Sequence, residues 1–427
     1  MTIKILSSIM TKGKTTGREL FERIGCPSRI LAPMVDQSEL AWRILSRRYG
    51  ATLCYTPMFH AKLFATSEKY RRDMWCELDG NSDIDRPLIV QFCANDPEYL
   101  LAAAKLVQDK CDAVDLNLGC PQGIAKKGHY GSFLMEEWDL IHKLIRTLHD
   151  NLDVPVTAKI RVFPEREKTL EYAKMVLDAG AQFLTVHGRL REQKGQKTGL
   201  ANWNIIKYLR DNLPSETVFF ANGNILYPED ISRCMGTIEC DAVMSAEGNL
   251  YNPGLFNVDH VEEKDKTFPR VDKIVREYFE IVKECRESNA SRSAMKSHFF
   301  KILRPFLANH TDIRSELASM SAKSSLEEWE EKIVVPVEKT VATIFAQDDI
   351  EEKDVITVGG QELWGGAYKS IPYWRCQPYF RPVDGVTGDK RAVEALKANI
   401  EDKDDIKKRK AETVLEKTAN KDGKTKL

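Results

Sequence analysis

Eight short apolar runs recur between Arg29 and Ser245, and helical patterns separate most of them. The runs cover 29–34, 51–55, 88–92, 113–118, 156–160, 183–187, 217–221 and 241–245. Each is brief and rich in β-branched or aromatic residues, as buried strands are. Apolar residues at helical spacing fill 39–49, 97–110, 136–149, 167–179, 203–212 and 228–235. The stretch after the second run lacks such a pattern and reads as a long loop, and a short helix is expected after Asn252. Strand and helix alternating over about 240 residues predict a parallel sheet. Eight repeats of that unit predict a closed (β/α)8 TIM barrel. A doubly wound open sheet is the alternative, and no GxGxxG follows the first run.

Past Phe268 the pattern changes to helices at 270–286, 293–308 and 325–345. The expected order is an N-terminal extension (1–24), the barrel (25–264), a smaller all-helical domain (265–350) and a C-terminal extension (351–386). That extension is rich in Gly, Pro and aromatics, including Trp364, Tyr373, Trp374, Tyr379 and Phe380. The tail 387–427 is charge-dense and nearly free of aromatics, a composition that does not support a packed core. Its run Lys407-Lys408-Arg409-Lys410 reads as a solvated charge run first and a nuclear address second.

Composition narrows the class. A hydrophobic share of 42% in 427 residues is enough for a sizeable core. No apolar run approaches the roughly 20 residues that span a bilayer, so no membrane association is expected. The N-terminal stretch lacks a signal-peptide core, and its polar, acid-poor character leaves organelle targeting as a minor reading. The ten cysteines show no CxxC pair and no metal-ligand spacing. They are expected to be reduced, with no metal bound, in a cytoplasmic protein. With a net charge of −1, any nucleic-acid contact must come from a local basic face.

In such a barrel the site forms at the C-terminal strand ends. Those ends carry Pro33 and Met34, Gln91, Cys120, Lys159, His187, Asn222-Gly223-Asn224 and Ala246-Glu247. Cys120 stands in the turn Asn117-Leu118-Gly119-Cys120-Pro121, where Gly119 is expected to permit unusual backbone angles. Glycine-containing loops after the seventh and eighth strands suit a phosphate group. Lys159 in an apolar strand is either half of a buried ion pair or a charge for an electron-rich ring. Gln91 offers a donor and an acceptor to a pyrimidine-like edge or serves as a core amide. His187 faces the same choice between ligand and core.

Taken together, Leu31-Ala32-Pro33-Met34, Val90-Gln91-Phe92, Asn117-Leu118-Gly119-Cys120-Pro121, Ala158-Lys159-Ile160-Arg161, Val186-His187-Gly188-Arg189 and Ala221-Asn222-Gly223-Asn224 resemble the tRNA-dihydrouridine synthase family over about 25–345. Asp115 to Gln122, Met244 to Leu250 and Pro372 to Pro378 resemble its eukaryotic branch acting on uridines 16 and 17 of the D-loop. The resemblance implies FMN-dependent, NADPH-driven reduction of uridine to 5,6-dihydrouridine in tRNA. Hydride would pass from FMN N5 to C6, and Cys120 would donate the proton to C5. It implies that Pro33, Met34, Val35, Gln91, Lys159, His187, Asn222, Gly223, Asn224, Ala246 and Glu247 surround FMN. The chain departs from the wider family at Glu247-Gly248-Asn249, where many members carry Gly-Arg. A small-molecule flavin dehydrogenase of the dihydroorotate dehydrogenase type is the alternative.

Phosphate contacts to tRNA would come from Lys126, Lys127, Arg189, Arg191, Lys194 and Lys197 at the barrel mouth. Lys296, Lys301, Arg304 and Arg314 would add to them from the helical domain. No obligate protein partner is inferred.

Overall fold

Side chains alternate across a strand, so every second residue of a barrel strand points inward. In the computed structural model, which describes residues 15–195, 198–361 and 365–380, that rule builds the interior from the bottom up. The strands are β1 (Arg29–Leu31), β2 (Leu53–Tyr55), β3 (Leu88–Cys93), β4 (Ala113–Leu118), β5 (Val156–Arg161), β6 (Phe183–His187), β7 (Val218–Asn222) and β8 (Ala242–Ser245). All pair in parallel, in the order β2-β1-β8-β7-β6-β5-β4-β3. A further β2–β3 pairing, Cys54 to Leu88 and Tyr55 to Ile89, closes the circle. Closure at eight strands is the predicted (β/α)8 barrel and removes the open-sheet alternative.

The lower interior is apolar: Ile30, Leu53, Ile89, Phe183, Val218 and Phe220 belong to one buried cluster. The helix Gly17–Arg23 covers this end, placing Leu20 and Phe21 in the same cluster. Phe21 meets Phe183 edge-on at 6.2 Å between ring centroids. Thus part of the stretch expected as an N-terminal extension plugs the barrel floor. Two positions further up, the inward side chains turn polar, with Asp115, Thr157 and Thr185 buried.

The segment after β2 is not a bare loop. It holds the strand Phe59–His60 beside β3 and the helices Ala61–Thr66 and Glu68–Met74. Helices this short leave little periodicity to read, and local capping defines them: Ser67 Oγ accepts the Tyr70 N–H.

Past the barrel, the helices Val271–Glu284, Asn289–Ile302, Thr311–Ser319 and Val335–Phe345 pack together. Thr311–Ser319 was not anticipated, and the predicted helix at 293–308 ends at Ile302 before Pro305. A buried carboxylate locks these helices to the barrel. Glu39 accepts from Tyr278 Oη at 2.8 Å and pairs with His298 Nε2 at 3.0 Å. Trp42 stacks on the His298 ring at 4.1 Å.

The helix Leu40–Arg48 carries a second lock that reaches the site. Arg43, fully buried, donates to Asp85, to Asp79 at 2.7 Å and to the Ser38 carbonyl at 2.8 Å. Ser38 Oγ in turn accepts the Met34 N–H at 3.0 Å, at the end of β1. Replacing Arg43 with methionine strands two buried carboxylates. It is expected to cost roughly 3–5 kcal/mol, read as a lowered urea midpoint.

The described part of the C-terminal extension runs back across the barrel–helix junction. It forms a hairpin of Thr357–Gln361 and Ala367–Ser370. Arg375, 1% exposed, then donates to Asp354 Oδ1 at 2.6 Å, to Asp265 at 2.8 Å and to the Phe268 carbonyl at 2.9 Å. Burial by itself would raise the Asp354 carboxyl, but Arg375, Lys264 and the Trp374 indole hold it well below the usual carboxylate range. Trp364, Lys197 and the tail with Lys407 to Lys410 lie outside the described residues.

Candidate active site

At the top of β4, Asn117 ends the strand by turning its side chain back on the chain. Its Oδ1 accepts the N–H groups of Gly119 at 3.2 Å and Cys120 at 2.9 Å. This side-chain turn, rather than a special glycine conformation, presents the thiol. Gly119 is absent from the residues at positive φ, and a Cβ there would meet nothing closer than 3.5 Å. The glycine that the thiol loop needs is Gly131, at φ +65°. A Cβ on it would lie 2.8 Å from the Cys120 carbonyl oxygen. Ser132 Oγ donates to that same carbonyl at 2.9 Å. The loop is pinned from above as well, since Lys194 Nζ donates to the Pro121 carbonyl at 2.8 Å.

Burial pushes the Cys120 thiol above its ordinary range. The Gln122 backbone N–H and the cations Arg161, Lys159 and Lys194 moderate the rise. The sulfur is therefore a protonated thiol at neutral pH, and the resulting thiolate would have charge partners after proton loss.

Beneath the mouth lies a connected polar layer. Gln91 Nε2 donates to Asp115 Oδ2 at 2.8 Å, and Thr157 Oγ1 donates to Asp115 Oδ1 at 2.6 Å. Asn117 Nδ2 donates to Gln91 Oε1 at 2.8 Å. Gln91 lines the cavity, but one N–H and one lone pair of its amide are already committed to this layer. Burial raises the Asp115 carboxyl to about 6, against the hydrogen bonds from Thr157 and Gln91.

Lys159, on β5, sits opposite Asn117 of β4 and Thr185 of β6. It is 8% exposed. Its expected salt-bridge alternative fails, because its ammonium lies in none of the ion pairs or hydrogen bonds among the described residues. Burial, then the neighbouring Arg161 cation, brings its pKa down to about 7, with Asp115 acting the other way. A buried ammonium short of partners fits an anionic or electron-rich group in the cavity.

His187 closes the next side. Arg189 Nη1 lies 2.9 Å from His187 Nε2, and a guanidinium only donates, so Nε2 accepts and Nδ1 bears the proton. Burial and then the cations Arg161, Lys159 and Arg189 hold this imidazole well below its usual range, and it is neutral. Arg189 also donates to Asn224 Oδ1 at 2.9 Å and to the Gly199 carbonyl, tying the loop after β6 to the loop after β7. In that latter loop Gly223 has φ +119°, and a Cβ would lie 2.5 Å from Ala201 Cβ. Only glycine fits this close approach. Asn222 donates across to the Met244 carbonyl at 2.8 Å.

Two cavities meet at His187, Asn222 and Ala246. The larger, about 460 Å3, opens between Pro33, Met34, Val35, Gln91, Cys120 and Lys159. The smaller, about 120 Å3, runs between the loops of Gly223-Asn224 and Ala246-Glu247. The structure therefore brings Cys120 and every residue expected around the cofactor to one continuous groove. Lys301 lies within electrostatic range of Glu247, so the carboxylate that departs from the family pattern has a cation nearby.

The expected RNA-facing cations divide into groups. Lys126 and Lys127 are exposed on the helix Gly123–Gly128 beside Cys120. Arg191 pairs with Glu192 at 3.1 Å, and Arg189 is built into the site. Lys296 is occupied in capping a helix end, donating to the Ala318 and Met320 carbonyls at 2.7 and 2.8 Å. Lys301, Arg304 and Arg314 line another cavity of about 540 Å3 with Tyr251.

One site residue received no role from the sequence. Arg161, two residues beyond Lys159 on β5, donates to the Gly119 carbonyl at 2.7 Å and to the Leu190 carbonyl at 2.7 Å. Burial pushes its pKa down to about 10. Its signal was present: two cations at period two in an apolar strand share the inward face.

The fold and this mouth define a barrel enzyme whose chemistry sits at the C-terminal strand ends. The chain belongs to the dihydrouridine synthase family, whose model, described as Dihydrouridine synthase (Dus), matches residues 30–353. It is 76% identical over 403 residues, 94% of each chain, to the tRNA-dihydrouridine(16/17) synthase, NAD(P)(+), of Saccharomyces cerevisiae. A protein of the same name from Schizosaccharomyces pombe is 52% identical, covering 88% of this chain and 93% of its own. A like-named Mus musculus protein is 44% identical, covering 86% and 72%.

Proposed function

We propose that this chain reduces uridine to 5,6-dihydrouridine in tRNA, at positions 16 and 17 of the D-loop, with FMN as its cofactor and NADPH as reductant. The residues 25–264 form the catalytic barrel and 265–350 the tRNA-binding domain. The observation that carries the reading is the groove itself. It joins a protonated thiol, a buried ammonium with no hydrogen-bonding partner among the described residues and a narrow cleft between the last two barrel loops. A planar ring with a phosphorylated tail suits that sequence of environments. Lys159 and Gln91 would hold the ring of such a group, and the loops of Gly223-Asn224 and Ala246-Glu247 would hold its phosphate.

Flavin chemistry supplies a hydride to C6 of the base, its two electrons coming from the nicotinamide. The protein's own residues do the rest. Cys120 holds the proton that completes C5 and is left as a thiolate. The Gln122 N–H, Arg161, Lys159 and Lys194 stabilise that thiolate. Lys159 would supply positive charge to the negative charge of a reduced flavin ring held in the groove. His187, neutral, serves as a hydrogen-bond donor through Nδ1. Lys126, Lys127 and Lys194 take phosphates at the mouth, while Lys301, Arg304 and Arg314 extend the basic surface along the helices.

The test is reduction of an unmodified tRNA transcript with NADPH, followed by mass-spectrometric mapping of the D-loop. Dihydrouridine is expected at positions 16 and 17, with binding that weakens steeply as salt rises. Turnover of free pyrimidines in preference to tRNA would overturn the reading in favour of a small-molecule dehydrogenase.

A further inference from the structure

The cleft between the last two barrel loops has a wall that the barrel does not supply. Tyr379 and Phe380, more than a hundred residues beyond β8, line it together with Asn224 and Ala246. Both are half-buried and held on two sides. The Tyr379 ring lies under the Arg304 guanidinium at 3.6 Å and beside Tyr251 at 5.4 Å. Phe380 contacts the Tyr227 ring at 5.9 Å and Tyr368 at 5.5 Å.

Their approach path is anchored just upstream. The Cys376 N–H donates to the Pro269 carbonyl at 2.9 Å, and Val271 N–H donates to the Trp374 carbonyl at 3.0 Å. Gln377 Nε2 folds back onto the Ile371 and Pro372 carbonyls. With Arg375 sunk among Asp354, Asp265 and the Phe268 carbonyl, the segment is strapped across the junction. The two rings are therefore placed by the fold.

We infer that Tyr379 and Phe380 are cofactor-site residues that enclose the phosphate end of the flavin. The inference rests on the function proposed above. The other walls of the cleft carry the amide dipoles of Asn222 and Asn224 and the Arg189 cation, with Glu247 a carboxylate in the same lining. Such dipoles hold an anion more strongly where water is excluded and the local dielectric is low. Two half-buried aromatic rings in the lining provide that exclusion. Their effect falls on the phosphate and leaves the ring end of the groove, at Lys159 and Gln91, untouched. Because Tyr379 also touches Arg304 of the basic surface, the same wall joins the cofactor cleft to the proposed tRNA face.

The experiment compares two flavins that differ only by the phosphate. Apoprotein of the full chain is titrated with FMN and with riboflavin, following quenching of flavin fluorescence. The wild-type protein is expected to bind FMN far more tightly than riboflavin. In Tyr379→Ala/Phe380→Ala, FMN affinity should fall at least tenfold, with faster dissociation, while riboflavin affinity changes less than twofold. Equal losses for both flavins would assign the rings a merely structural role and overturn the inference, as would unchanged FMN affinity. If the double variant does not fold by circular dichroism, Tyr379→Leu and Phe380→Leu are read by the same ratio. Failure of the wild-type protein to bind either flavin would overturn the functional reading, and the inference with it.

Discussion

Cys120→Ala is expected to leave flavin binding and its reduction by NADPH within about twofold of wild type and to lower dihydrouridine formation by roughly 10²–10⁴-fold. The asymmetry follows from where the thiol sits. Cys120 hangs from the Asn117 side-chain turn above the groove, whereas the polar layer around Asp115 and Gln91 is built without it. Burial raises the thiol's pKa, so the proton donor is loaded throughout the neutral range. An acid must be protonated to act. With flavin saturating, the wild-type rate of uracil reduction should thus fall as pH rises through a thiol pKa above the ordinary 8.5 or so. In Cys120→Ser that alkaline limb should disappear, since a hydroxyl does not titrate there. Stopped-flow spectroscopy separates the two half-reactions. If the alanine variant modifies tRNA within tenfold of wild type, the proton comes from elsewhere.

The second large effect is expected at Lys159. Lys159→Met should slow flavin reduction by roughly 10²–10³-fold, the usual consequence of removing a preorganised charge from an enclosed site. A pH signature distinguishes this role from packing. In the free protein, burial and Arg161 bring the ammonium down to about 7 from 10.5. An anionic group entering the groove favours the charged form and draws a proton back in. Flavin binding should therefore take up protons, and affinity should fall as pH rises above about 7. Calorimetry in buffers of different ionisation enthalpy measures that uptake, and the methionine variant should show none from this position. The linkage has a stability side with a definite sign. The folded site gives up its proton near 7 and the unfolded chain near 10.5, so the unliganded fold gains stability as pH rises between those values. An equal proton uptake by both proteins would remove Lys159 from the cofactor site.

Much of the site was legible because its residues are inward positions of strands or the first residues after them. Gln91, Lys159, His187 and Asn222 interrupt apolar runs, and an interruption at a strand's C-terminal end in a barrel has few structural uses. The roles of their neighbours were harder to read. Arg161 works through carbonyls of two other loops, and Gly131 owes its importance to the Cys120 carbonyl packed against it. Gly119 misled for the converse reason: a side-chain acceptor two residues earlier shapes the turn, leaving the glycine in ordinary backbone geometry. Lys296 resembled any other surface cation until a helix end was found to occupy it.

The alternation of eight apolar runs with helical patterns is a local property, and it was enough to specify the barrel and the end at which its chemistry stands. Likewise, the residue types at the strand ends are covalent facts, and they determined that a thiol, an amine and an imidazole would share one mouth. Tertiary structure alone decided how those groups behave. Burial among Arg161, Arg189 and Asp115 sets which of them hold protons, because desolvation and neighbouring charge act through space. It also brought Tyr379 and Phe380 to the cofactor cleft, since nothing in the spacing of two aromatic residues near the C-terminal end encodes the loop they will face.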